Sequence, residues 1–209
     1  MSYDLYVVPA DACTDHASVE AHVDAQVGKA PDAVAAGIAA AITARNSPDD
    51  ELSFLSIHPL QAEGDVVHVP APFSQVQRAR DAVIEAAIDA GFGVYDPQNM
   101  MVIDPRQAAT ALVESSSDRN YPLVSAAMVT VLAHRMRVND HLIVEVGDQL
   151  YMQSARSADT YVVELRAGSA DRHFAMDVGS PDDVARTIGL WLAGKMDELR
   201  ALPWEKVNF

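Results

Sequence analysis

The stretch VVHVPAPFSQVQRARDAVIEAAIDAGFGVY, residues 66–95, carries three signals in succession. Val66 to Val69 is a short apolar run closed by Pro70 and Pro72, which predicts a strand. Ser74 is then placed as a helix N-cap, and Val76, Ala79, Val83, Ala87 and Ile88 recur at the spacing of one helical face until Gly91 stops the helix. Phe92 to Tyr95 resumes strand composition. A strand, a helix and a strand within 30 residues place the chain among the mixed α and β folds. Downstream, Asp96-Pro97-Gln98-Asn99 has turn composition and Met100 to Ile103 is a further strand. Upstream, Leu52 to Ile57 reads as a strand set off from Val66 by Pro59 and Gly64-Asp65. A helix opens at Pro31 and carries Val34, Ile38 and Ile42 down to Arg45, with a weaker helix before it over Asp15 to Val27. Tyr3 to Val8, alternately apolar and closed by Pro9, is the first strand. The order β-α-β-β-α-β is the split βαβ, ferredoxin-like pattern.

The second half reads differently. Glu114-Ser-Ser-Ser-Asp-Arg-Asn120 is polar and lies between Pro105 and Pro122, so a domain boundary is expected near residue 117, dividing 1–116 from 117–209. Leu123 to Arg137 is helical in composition, although Val124, Val129 and Val131 leave a strand open as the alternative. Leu142 to Val146, Gln149 to Ala155, Thr160 to Leu165 and His173 to Val178 are four strand-like runs joined by short turn-like segments, an antiparallel meander. Ser180-Pro-Asp-Asp-Val184 starts a helix with Ser180 as N-cap, Pro181 in the first turn and a buried stripe of Val184, Ile188, Trp191 and Leu192. The tail carrying Trp204 is expected to pack back on the sheet. The fold class is α+β in two domains, the first ferredoxin-like and the second a four-stranded meander with flanking helices.

Charge narrows the function. The chain has 30 acidic and 15 basic residues, a net charge of −15, and 16 of the acids against five of the bases lie before residue 107. Such a chain has no net attraction to nucleic acid or anionic membranes. One cysteine, Cys13, leaves no internal disulfide, and the N-terminus has neither a basic segment nor an apolar run, so a cytoplasmic protein is expected. Gly91-Phe-Gly93 lacks the rest of a dinucleotide loop, and no phosphate loop is present, so no cofactor is expected. His16, Glu20, His22 and Asp24 sit near one another on a helix, but at no strong metal spacing, and read as a solvated acidic face. No serine lies in a nucleophile elbow. The densest polar set is Glu164, Arg166, Asp171, Arg172 and His173: if the two flanking strands pair, Glu164 and Arg166 share a face with Arg172 or His173 close by. This set is either an acid–base or anion site, or a hairpin end held by charge pairs worth roughly 0.2–1 kcal/mol each.

Tyr3-Asp-Leu-Tyr-Val7, the run from Val66-Val-His-Val-Pro70 into Phe73, and Gly91-Phe-Gly-Val-Tyr-Asp-Pro-Gln98 resemble a group of small acidic actinobacterial proteins. Those typically open Tyr-Asp-Leu-x-Val-Trp and carry Gly-Leu-x-x-Tyr-Asp-Pro-Gln; here Val8 stands in place of the tryptophan and Phe92 in place of the leucine. Asp148 to Ala155, Tyr161 to Arg166, Asp171 to Phe174 and Trp191 to Gly194 resemble a second group from similar genomes. Both groups look immunity-like, which implies a non-enzymatic binding protein that neutralises a basic protein partner, a toxin or secreted effector. The contact residues expected on that reading are Tyr95, Asp96 and Gln98 in the first domain and Glu164, Arg166, Asp171, Arg172 and His173 in the second. The alternatives are an export or folding chaperone with an apolar groove, and an enzyme centred on Glu164, Arg166 and His173.

Overall fold

The computed structural model of the chain describes residues 2–47, 52–116 and 120–207. They form two compact units, Met1–Gln107 and Ala108–Phe209, each a mixed α and β structure built on one antiparallel sheet.

In the first unit β1 (Tyr3–Pro9) is followed by α1 (His16–Gln26), α2 (Ala33–Arg45), β2 (Ala62–Glu63), β3 (Val66–Ala71), α3 (Val76–Asp89), β4 (Phe92–Asp96) and β5 (Met101–Ile103). The strands lie in the order β2-β3-β1-β4-β5 with every neighbour antiparallel. Period-2 alternation divides β1 between two faces. Leu5 and Val7 join Val67, Val69 and Val94 under α2 and α3. Ile38 and Ile42 of α2 and Val76 and Val83 of α3 complete this core, and each such side chain, fully buried, contributes roughly 1.5–3 kcal/mol. Val8 faces the other way, into a smaller cluster with Cys13, Val66, Tyr95 and Val19 of α1. Cys13 is a free, buried thiol. Burial, followed by the Asp104 carboxylate, pushes its pKa up to about 11.

Several local expectations change. Leu52 to Ile57 is not a strand: Ser53, Phe54 and Leu55 are buried, but the Phe54 N–H is taken by Asn46 Oδ1 at 2.8 Å and the Leu55 N–H by Ser53 Oγ at 3.3 Å, so side chains replace a ladder. Pro70 continues β3 opposite Asp4 instead of ending it. Ser74 lies inside a short 3-10 turn, Phe73–Gln75, and α3 begins after Gln75. Pro31 precedes the cap of α2, which is Asp32, accepting from Val34 N at 2.8 Å.

Past β5, Arg106 ties the chain back to the segment after β1. Its guanidinium donates to Asp104 Oδ1 and Oδ2, both at 3.0 Å, to Asp11 at 2.7 Å and to the Ala10 carbonyl at 2.6 Å. These bonds from Arg106 hold the Asp104 carboxyl below the usual carboxylate range. A depressed folded-state pKa stabilises above the unfolded value, about 3.9, and that contribution is lost as pH falls toward the folded one. Urea unfolding is therefore expected to show less loss of stability between about pH 5.5 and about pH 3 in Asp104→Asn than in wild type; equal losses would remove Asp104 from the acid limb.

The second unit runs β6 (Ala109–Ser115), β7 (Tyr121–Val124), α4 (Ala126–Arg135), β8 (His141–Gly147), β9 (Leu150–Ser157), β10 (Thr160–Ala167), β11 (His173–Val178), α5 (Pro181–Leu192), α6 (Met196–Arg200) and β12 (Glu205–Lys206). Its sheet has seven strands in the order β12-β11-β10-β9-β8-β6-β7, three more than the four expected. The division falls between Gln107 and Ala108 and not near 117, because β6 pairs with β8 from Leu112↔Glu145 to Ser115↔Leu142. The expected linker thus begins inside β6, and its residues 117–119 lie outside those described. Helix α4 starts at Ala126, capped by Ser125, and the residues before it form edge strand β7, where Pro122 is tolerated. Val144, Met152 and Val163 of the sheet are fully buried, as are Leu132 of α4 and Ile188 of α5. Ser180 caps α5, accepting from Asp183 N at 3.1 Å, with Pro181 opening the helix. Among the described residues no helix is long and apolar enough to cross a membrane.

Candidate functional site

The second face of the first sheet is where function is best sought, because α1 covers only part of it. On β1, Asp4, Tyr6 and Val8 point to this face. Tyr6 lies opposite His68 of β3 and Tyr95 of β4, which sets three rings abreast across three strands. Tyr6 and His68 stack at 4.8 Å with planes 13° apart, and Tyr6 and Tyr95 are 6.1 Å apart. Helix α1 crosses over the Tyr95 end: the Tyr95 hydroxyl meets His16 Nδ1 at 2.5 Å and donates to Glu20 Oε1 at 3.2 Å. Burial and then the Glu20 charge push the Tyr95 hydroxyl far above its ordinary pKa. The Tyr6–His68 end is left open.

That opening is a groove of about 610 Å³, floored by Tyr6, Val66 and His68 and walled by the last turn of α1 on one side and the Ile57–Gln61 loop on the other. The loop is held by Ser56 N donating to the Pro70 carbonyl at 2.8 Å and by Leu60 N donating to Thr43 Oγ1 at 3.0 Å. Val27 and Ile57, 66% and 62% exposed, form an apolar lip. The charged lining, among the described residues, consists of Asp24 and Glu63, with neither lysine nor arginine. Asp4 binds His68 Nε2 at 3.0 Å, and Asp65 binds His22 Nε2 at 2.9 Å. Burial first, then the charges of Asp4 and Asp24, raise the pKa of the Tyr6 hydroxyl, so the negative potential reaches the aromatic floor. A groove lined by carboxylates and without a lysine or arginine attracts a guanidinium or ammonium group.

The expected contact residues of this unit are placed elsewhere. Tyr95 and Asp96 are each 1% exposed, and buried side chains present no contact surface. Asp96 accepts from Asn99 N at 3.1 Å and from Arg80 Nη2 at 3.2 Å, fixing the turn into β5. Gln98 is at the surface, its amide paired with the backbone of Asp4 at 2.8 and 3.1 Å. His16 and Glu20 come together, 3.6 Å apart, while His22 turns to Asp65; among the described residues no group of three or more such side chains is set to hold a metal.

In the second unit β10 pairs with β11 so that Arg166 faces His173. His173 Nε2 contacts Glu164 Oε2 at 2.8 Å, Arg166 Nη1 lies 3.0 Å from His173 Nδ1, and Gln153 donates to Glu164 at 2.9 Å. Arg166 also reaches Gln149 Oε1 at 2.8 Å. These groups satisfy one another at the hairpin end. Asp171 and Arg172 are exposed in the β10–β11 connection, and Arg172 lines a separate hollow with Leu165.

Tyr6, Glu63 and His68 were not among the sequence candidates, and Asp24 entered only as part of the solvated acidic face of its helix. The signal for two of them is the alternation Asp4-x-Tyr6-x-Val8 and the lone polar position in Val66-Val-His-Val-Pro70, each setting a ring on the less buried face of a strand. Compared with known proteins, the chain matches no family model, no curated protein and no solved structure.

Proposed function

We propose that this protein is a non-enzymatic, immunity-like binding protein of the cytoplasm that masks a basic protein partner by occlusion. The groove beside α1 receives lysine or arginine side chains of that partner. The observation that carries this reading is a groove that the stacked Tyr6 and His68 line together with Asp24 and Glu63 and with neither lysine nor arginine, in a unit with 16 acidic and five basic residues. Charge of this kind speeds encounter and selects basic partners, and its effect weakens with salt. The immunity assignment rests on the actinobacterial resemblance of Tyr3 to Val7 and Gly91 to Gln98. A ferredoxin-like description of the first unit is supported by the order β2-β3-β1-β4 with antiparallel neighbours, and a meander in the second by the adjacency of β8, β9, β10 and β11 in chain order.

The test compares immobilised wild-type protein with the Asp24→Lys/Glu63→Lys double variant as capture surfaces for a lysate of the source cells. A basic protein that elutes with salt from wild type, is missing from the variant and loses its activity in the complex is the expected result. The same proteins retained on both surfaces, at low and high salt alike, would overturn the reading.

A further inference from the structure

The second unit carries a hollow that the masking of a basic partner does not use. Beside α6 and the end of the β10–β11 hairpin lies a space of about 330 Å³, within the size range of small-molecule sites, ~300–1,000 Å³. Leu165, Phe174, Leu199 and Trp204 line it. Leu165 and Leu199 are buried. The Trp204 indole N–H donates to the Leu199 carbonyl at 2.7 Å, so the polar edge of the ring is satisfied and its apolar body remains as wall.

Two exposed arginines, Arg172 and Arg200, also line the hollow. Arg172 makes no side-chain hydrogen bond or ion pair with a described residue. Among the described residues Arg200 reaches only Asp197, at 3.4 Å and with both side chains largely in solvent, and exposed pairs of this kind hold weakly. In a chain with twice as many acids as bases, one arginine with no side-chain partner among the described residues and one held by a weak exposed pair thus line one apolar concavity. Guanidinium is always charged and matches a carboxylate in a two-pronged geometry. Inorganic phosphate would satisfy the arginines and leave the wall bare; an alcohol would cover the wall and leave the arginines unmet; a cation would be repelled.

We infer that this hollow binds a small apolar monocarboxylate, with its carboxylate on Arg172 and Arg200 and its hydrocarbon or aromatic body against Phe174 and Trp204. The protein has two tryptophans, so Trp191→Phe in the full chain leaves Trp204 as the sole tryptophan, read by excitation at the red edge where tyrosine does not absorb. Decanoate and 3-phenylpropionate are the probes; methyl decanoate and inorganic phosphate are the controls. Expected are a saturable change in Trp204 emission with the two acids, binding roughly tenfold weaker in Arg172→Gln, and loss of it in Arg172→Gln/Arg200→Gln. The ester and phosphate should leave emission unchanged. Equal affinity for acid and ester, an unchanged affinity in the double variant, or no saturable response at millimolar acid would each overturn the inference.

Discussion

Asp96→Ala is expected to cost about 3–5 kcal/mol of stability, the scale of removing one member of a buried ion pair. The side chains of Arg80 and Asp96 are 1% and 2% exposed, on the helix and strand that pack most closely in the first core. Tyr3 completes the set: its hydroxyl donates to Asp96 Oδ2 at 2.5 Å and accepts from Arg80 Nη2 at 2.9 Å. Burial and the Asp96 charge hold that hydroxyl far above its ordinary pKa, so it stays a neutral donor. Removing the carboxylate takes the Asp96 acceptor from the buried guanidinium and frees the turn that Asp96 caps through Asn99. The control is Arg80→Met/Asp96→Asn, which removes both charges and keeps an oxygen for Asn99. It should unfold at a higher urea concentration than Asp96→Ala; equal midpoints would show that the broken Arg80–Asp96 pair is not the source of the loss.

Gly93→Ala is expected to cost about 2–3 kcal/mol, the scale of overpacking a filled core. Gly93 lies opposite Val8 in β4, and a Cβ there would fall on Cys13 Sγ and come within 2.7 Å of the Ile103 carbonyl oxygen. The sulfur belongs to a movable side chain; the carbonyl is in the paired strand β5 and has nowhere to go. Adding Cys13→Ala should therefore recover part of the loss and not all of it. A double variant whose loss equals the sum of the two single losses would remove Cys13 from the account.

Local signals carried much of the fold. Tyr3 to Pro9 announces a strand by its own alternation, and Ser180-Pro181-Asp182-Asp183 announces a helix by the chemistry of its first turn. The register that joins Arg166 to His173 follows from a short hairpin, so the Glu164–Arg166–His173 set was visible in the sequence. Leu52 to Ile57 misleads for a physical reason. Apolar composition does not tell a strand from a loop in which only Ser53 to Leu55 are buried, with N–H groups met by Asn46 and Ser53. The end of β6, Glu114 and Ser115, reads as linker because Glu114 to Asn120 is polar, while β6 alternates exposed and buried positions at the side of β8. The groove was beyond reach for another reason: Tyr6, Asp24, Ile57, Glu63 and His68 come from separate segments that only the packing of α1 and its facing loop brings to one place. Tyr95 and Asp96 drew attention by their chemistry, and that chemistry is spent inward.

Helix α1 buries Val19 alone, whereas α3 buries eight residues. An element held by so little apolar contact separates from its sheet at a fraction of the free energy of global unfolding. The α2–α3 side is then a rigid chassis, and the α1 wall of the groove is the adjustable jaw. Cys13 lies at the foot of that jaw, sealed and with its thiol protonated while α1 is seated. Its rate of modification by an alkylating reagent is thus a built-in clock for the jaw's excursions, readable without adding any label elsewhere in the chain.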